Sequence, residues 1–156
     1  MDESLYRKFY EVERSHWWFL ARREILLSVI MHYVPTSGRI LDVGCGTGFF
    51  IEKAREVYDA WGVDDSPLAV SMCRDRGLVN VFEGSAYDLS NVSNKLFEAM
   101  LYLDVIEHLE DDFTALRRAN EMLAIKGIVI ITVPAYMFMW SQHDELNQHK
   151  RRYVMH

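Results

Sequence analysis

Short apolar runs alternate with longer amphipathic stretches through most of this chain. Residues 39–43, 60–64, 79–83, 97–103 and 128–133 read as strands, each brief, apolar in the main and followed by a turn. Between them the spacing predicts helices. One spans 47–58 with Phe50, Ala54 and Val57 on one face. Another opens at Ser66, a capping residue followed by Pro67, and closes before Gly77. A third begins at Asp111 or Asp112 and turns Phe113, Leu116 and Leu123 inward, and Lys126-Gly127 then leads into the last strand. Ahead of these, residues 2–33 form two helical pieces. Ile25, Val29, Ile30 and Tyr33 recur there at helical spacing, and Pro35 with Gly38 ends the run. Strand–helix alternation of this kind predicts an α/β domain with parallel strands joined by helical crossovers. The last run, Ile128-Val129-Ile130-Ile131-Thr132-Val133, is apolar almost without a break, as expected of a parallel strand covered on both faces.

The first strand enters Gly44-Cys45-Gly46-Thr47-Gly48, where alternate residues lack a Cβ. Such a turn can adopt unusual dihedrals and lets a ligand lie against main chain, with the next helix's amides pointing at it. Alone this is a weak signal. The second strand, however, ends in Asp64, twenty residues beyond Gly44, the separation at which a carboxylate on a neighbouring parallel strand reaches the hydroxyls of a ribose. In a dinucleotide fingerprint the third glycine would come one residue later, where this chain has Phe49. The run Asp42-x-Gly44-x-Gly46-x-Gly48, then Gly62-Val63-Asp64-Asp65-Ser66-Pro67, Gly84-Ser85-Ala86 and Leu103-Asp104-Val105-Ile106-Glu107-His108, resembles the class I S-adenosylmethionine-dependent methyltransferases, whose corresponding motifs close strands one to four. The resemblance runs from Arg39 to Val133. It implies a doubly wound, Rossmann-like parallel sheet of order 3-2-1-4-5 with an amino-terminal helical lid.

Length and composition fit one domain, divided as helices over 1–35, a cofactor-binding core over 36–133 and a substrate-side tail over 134–156. A formal charge of −6 argues against broad binding of nucleic acid, and no apolar run approaches the roughly 20 residues of a membrane span. The start, Met1-Asp2-Glu3-Ser4, is acidic where a signal peptide is basic, and Cys45 and Cys73 lack metal-ligand spacing. The expectation is a cytoplasmic protein with two reduced thiols.

The resemblance also assigns residues. Asp64 would accept both ribose hydroxyls, with Asp65 and Ser66 in the turn behind it. Asp42 would help hold the methionine amino group, and Gly44, Cys45, Gly46 and Gly48 would form the bend. Ser85 and Ala86 would border the adenine, although many relatives carry Asp at position 85, where it accepts a hydrogen bond that Ser85 takes only weakly. Asp104 and Val105 would line the methionine portion. In His16-Trp17-Trp18-Phe19-Leu20-Ala21-Arg22-Arg23 the aromatics staple a helix to the sheet, or else Trp17 belongs to a lid whose Arg23, or its neighbour Arg22, pairs the methionine carboxylate.

Methyl transfer is an in-line displacement in which the protein mainly positions donor and acceptor. A base is needed only where the acceptor must lose a proton, and His108 and then His143 are the candidates. No metal is assigned. The alternative is Asp104, Glu107 and His108, which resemble the acid-x-x-Glu-His cluster of some metal-using O-methyltransferases. The tail mixes aromatics with Lys150-Arg151-Arg152, which suits an apolar or anionic small-molecule substrate. Family members usually continue past strand five with a helix and an antiparallel pair. Their absence leaves an apolar edge, explained either by truncation of a longer protein, the favoured reading, or by pairing in a homo-oligomer. The function expected is methylation of a small-molecule acceptor. The alternatives are an S-adenosylmethionine-binding module without turnover and, less favoured, an NAD-binding enzyme.

Overall fold

A computed structural model describes residues 3–92 and 94–154. The acidic Met1-Asp2 start, Ser93 and the final Met155 and His156 therefore lie outside the described residues. Five parallel strands form one sheet: β1 (Arg39–Val43), β2 (Asp59–Asp64), β3 (Val81–Glu83), β4 (Phe97–Leu103) and β5 (Leu123–Thr132), in the order β3-β2-β1-β4-β5. The helices are α1 (Glu3–Val12), α2 (Trp17–Tyr33), α3 (Phe49–Ala54), α4 (Pro67–Asp75), α5 (Asp112–Met122) and α6 (Gln142–Leu146). The class and strand order read from the sequence are those of the structure.

Alternation along the strands explains why the sheet is covered on both faces. Ile40, Ala99 and Leu101 pack with Leu27 and Ile30 of α2, Phe50 and Ile51 of α3, and Val70 and Cys73 of α4. Their neighbours Leu41, Val43, Met100 and Tyr102 point the other way and pack with Ala115, Ala119 and Met122 of α5. β5 takes part in both layers, through Ile128 and Ile130 on one face and Val129 on the other, but its outer side is unpaired within the sheet and Ile131 is exposed.

Several local readings change. Ile25, Val29 and Tyr33 are exposed, because α2 buries Leu26, Leu27 and Ile30 instead. Phe113 is 74% exposed, since Ala115, Ala119 and Met122 form the inner face of α5. Leu123 already belongs to β5, pairing with Phe97 before residues 124–127 bulge out and pairing resumes at Ala99 and Ile128. The expected turn at Lys126-Gly127 is part of that bulge. α3 is shorter than predicted, and β3 omits Val79, which is exposed.

What positions a site is the order of the strands. β1 lies between β2 and β4, so connections leave it toward opposite edges and a crevice opens beyond its carboxyl end. The amino-terminal helices and the segment after β5 both reach this crevice.

Candidate functional site

At the end of β1 the main chain bends through Gly44, Gly46 and Gly48, all with positive φ. A Cβ on Gly46 would meet nothing within 4 Å, so bare backbone faces open space there. Gly48 serves packing instead: a Cβ would strike Leu78 and Cys73 at 2.5 and 2.7 Å. The two strands are fastened at the bend by Asp64, whose Oδ2 accepts the Gly46 amide at 2.7 Å and whose Oδ1 accepts the Ser66 amide at 3.0 Å. Ser66 itself caps α4 by accepting from the Ala69 amide. Burial raises the Asp64 pKa, against the pull of those two backbone donors.

The first two helices cover this edge. From α1 the Tyr6 hydroxyl donates to Asp64 Oδ1 at 3.2 Å. Glu13, just beyond α1, accepts from the Thr47 hydroxyl at 2.7 and 2.8 Å and is ion-paired with the buried Arg76, which also bonds the Thr47 carbonyl and Glu52. Arg22 of α2 bonds Asp104 Oδ2 at 2.7 Å and the Thr132 hydroxyl at 3.0 Å. Asp104 has φ 59, an uncommon conformation for a residue with a side chain, and Thr132 also donates to it. Arg23 lies over the Phe49 ring, 4.4 Å from its centre.

Two cavities flank the glycine bend. The larger, of about 690 Å³, is walled by Phe9, Trp18, Phe19, Arg22, Arg23, Asp42, Cys45, Phe49, Glu107, His143 and His149 among others. The smaller, of about 360 Å³, is lined by Asp64, Asp65, Ser85, Ala86 and Val105. Tyr6, Gly44, Gly46, Asp104 and His108 border both. Two buried acids of the larger cavity lack partners among the described residues. Asp42 Oδ1 accepts no hydrogen bond, and neither Glu107 oxygen finds one beyond its own backbone. Burial pushes Asp42 up to about 8 and Glu107 up to about 7. Orphaned buried carboxyls of this kind call for a cation or a hydrogen-bond donor from a ligand.

The segment after β5 closes the far side. Asp144 is fully buried and accepts a two-pronged bond from Arg152, at 2.8 Å on each oxygen, together with the Ser141 amide at 2.8 Å. Arg152, and after it the Asp144–His149 and Ser141 hydrogen bonds, hold the Asp144 pKa well below the usual carboxylate range. Arg151 bonds the Leu109 and Glu110 carbonyls, and the Tyr153 hydroxyl donates to Asp112 and the Ile106 carbonyl. These contacts clamp the tail to the loop after β4.

Most residues nominated from the sequence thus meet around one bend, with specific exceptions. Trp17 is 71% exposed, stacks on His16 and lines neither cavity; Trp18 is the indole on the wall. Gly48 and Ser66 support the bend from behind. Arg22 and Arg23 both reach the larger cavity, Arg22 already tied to Asp104. The alternative metal trio is not assembled, because Arg22 and Thr132 draw Asp104 away. A Glu107 oxygen and one ring nitrogen each of His108 and His149 lie within 4.8 Å of one another, a spacing that suits a cation or a ligand's hydrogen-bonding group. Sequence reasoning missed Tyr6, Glu13, Asp144 and His149, whose partners lie far off in the chain or depend on how the tail folds back.

Residues 18–155 match the family model of the methyltransferase domain. Over 105 residues the chain is 39% identical to the ubiquinone biosynthesis O-methyltransferase of Azorhizobium caulinodans, covering 63% of this chain and 41% of that protein. Over 121 residues it is 29% identical to the tRNA (carboxymethyluridine(34)-5-O)-methyltransferase ALKBH8 of Macaca fascicularis, covering 78% and 17% of the respective chains. The crystal structure of the PH0226 protein from Pyrococcus horikoshii OT3 superposes with a TM-score of 0.72 at 24% identity, over 84% of this chain and 66% of that one, a likeness of fold. The chain spans about two fifths of the length of the ubiquinone-biosynthesis relatives it matches.

Proposed function

The chain belongs to the methyltransferase-domain family, and on that premise we propose that it binds S-adenosylmethionine and transfers its methyl group to a small-molecule acceptor. The observation that carries this reading is the open main chain at Gly46, with Asp64 bonded to its amide and the unpartnered Asp42 carboxyl beside it. In this reading Asp64 takes the ribose hydroxyls, displacing Tyr6. Ser85 and Ala86 border the adenine in the smaller cavity, Asp42 receives the ammonium, and Arg23 reaches the carboxylate. Bound there, the cofactor supplies an electrophilic methyl group. The protein contributes position and exclusion of water, through Phe9, Trp18 and Phe19 of the helical cover.

A small acceptor is favoured over nucleic acid by the −6 charge and by the walled shape of the larger cavity. No helix among the described residues is long and apolar enough to cross a membrane. A cytoplasmic setting accords with the two free thiols, and pairing of two copies through β5 accords with its open outer edge.

Calorimetry with S-adenosylhomocysteine and with NAD tests the reading, followed by transfer of labelled methyl from S-adenosylmethionine to a panel of small acceptors. Binding of the first ligand alone, with turnover, is expected. Binding without turnover on any acceptor would favour the module, and a response to NAD alone would sink the proposal.

A further inference from the structure

Three histidines converge on the larger cavity, and their hydrogen bonds divide them. His108 meets the His149 ring edge to face, with centres 4.8 Å apart, and burial lowers its pKa. His143 is exposed and its Nε2 lies 3.2 Å from the Asn147 side-chain nitrogen, so that nitrogen is occupied. His149 alone is braced by a carboxylate, with Nδ1 2.9 Å from Asp144 Oδ1 and a side chain only 9% exposed.

Local chain geometry produces this contact. Just past α6 and its cap Asn147, Gln148 has φ 58; its amide bonds the Glu145 carbonyl, and the His149 amide bonds the Asp144 carbonyl at 2.9 Å. That is the double bond of a Schellman turn, which folds residue 149 back over the helix that carries Asp144. Asp144 is anchored in turn by Arg152 and Ser141. An ionised carboxylate can only accept, so the ring proton belongs on Nδ1 and the lone pair on Nε2. One ring nitrogen of His149 lies within 4.8 Å of a Glu107 oxygen and a His108 ring nitrogen, and all three residues line the larger cavity.

We propose that His149, oriented by Asp144, is the group that takes the proton from a hydroxyl of the methyl acceptor. The inference rests on the methyltransferase reading above and sharpens it, since it selects an oxygen acceptor that must be deprotonated. As the oxygen–carbon bond forms, the carbon–sulfur bond breaks and its electron pair stays on sulfur. The hydroxyl proton passes to Nε2, the Asp144 carboxylate offsets the imidazolium charge, and the proton then leaves to water. The unpartnered Glu107 oxygens accept from a second donor on the same acceptor and fix its orientation.

The test uses the full chain with S-adenosylmethionine and either catechol or the more acidic 4-nitrocatechol. His149→Gln retains a donor toward Asp144, and its melting temperature and S-adenosylhomocysteine affinity should match the wild type. Its kcat should fall by about a hundredfold or more on catechol and by several-fold less on 4-nitrocatechol, with KM for the methyl donor unchanged. Nitrogen-edited NMR of the wild type should find His149 protonated on Nδ1 and bare at Nε2. A wild-type rate in the variant, equal losses on both acceptors, or a neutral ring with its proton on Nε2 overturns the proposal. Activity lost to EDTA and restored by magnesium overturns it too. Tight S-adenosylhomocysteine binding without turnover of either catechol overturns this inference alone, whereas absence of that binding brings down the methyltransferase reading as well.

Discussion

The wall beside Asp64, in the smaller cavity, and the wall beside His149, in the larger, adjoin at the glycine bend but are made of different material. At Asp64 the surface is main chain, and the fixed points are amides held by one carboxylate. At His149 the surface is side chains, gathered from the loop after β4 and the segment after β5 and held by arginine clamps. Asp64 has its acceptors occupied, even by Tyr6, while Asp42 Oδ1 next to the bend and both Glu107 oxygens on the second wall want donors. A ligand common to many reactions needs a fixed seat, and a variable acceptor needs groups that can be exchanged. The contrast suits a donor on one side and an acceptor on the other.

The largest expected effect tests whether the amino-terminal cover is structural. Arg76→Ala strands Glu13 in a buried site and should lower stability by about 3–5 kcal/mol, read by urea unfolding. A loss under about 1 kcal/mol would mean that the cover contributes little to the fold. Next, Asp64→Ala should weaken S-adenosylhomocysteine binding by about 3 kcal/mol, the worth of two bonds to a charged acceptor. Calorimetry within twofold of wild type would remove Asp64 from the donor wall.

pH separates the walls further. Burial lifts Asp42 to about 8 from 3.8 and Glu107 to about 7 from 4.5, so the folded state holds protons that the unfolded chain has lost. Stability contributed by these groups is therefore greatest at acid pH and declines as pH rises from about 4 to 8. The proposed ammonium contact needs ionised Asp42, so on that reading affinity should climb by up to about tenfold per pH unit below 8. Asp42→Asn should flatten the climb, and a variant as steep as the wild type would exclude Asp42 as its source. The smallest effect is Tyr6→Phe, which removes a competing donor and should tighten binding by about 1 kcal/mol. Weaker binding in that variant would show that Tyr6 stays in the complex.

The difference between the walls also explains what the sequence could tell. Glycines at 44, 46 and 48 and an acid at 64 are read directly, because a backbone seat needs particular residue types at particular short spacings. Apolar alternation revealed the strands and their parallel class for a similar reason: β1 and β4 must serve two faces at once. Helix faces were less legible. Small residues, Ala115 and Ala119, fit beneath α5 where Phe113 was expected, and size at a tight interface overrides hydrophobicity. The choice of Trp18 over Trp17 depends on the rotation of one helix. Glu13 meets Thr47 across 34 positions, and His149 meets Asp144 only because Gln148 reverses the chain. Neither contact follows from a pattern along the sequence.

The clamp on the tail has an evolutionary corollary. Arg151 and Tyr153 grip carbonyls and an acid of the segment after β4, while Arg152 grips Asp144 and the Ala135 carbonyl within the tail itself. Tyr136 and Met137 belong to that grip, the Tyr136 amide donating to the Tyr153 carbonyl and the Arg152 amide to the Met137 sulfur, whereas Phe138 stands 84% exposed. On the proposed reading, descendants of this scaffold can vary such exposed tail positions while inheriting the bend at Gly46 intact.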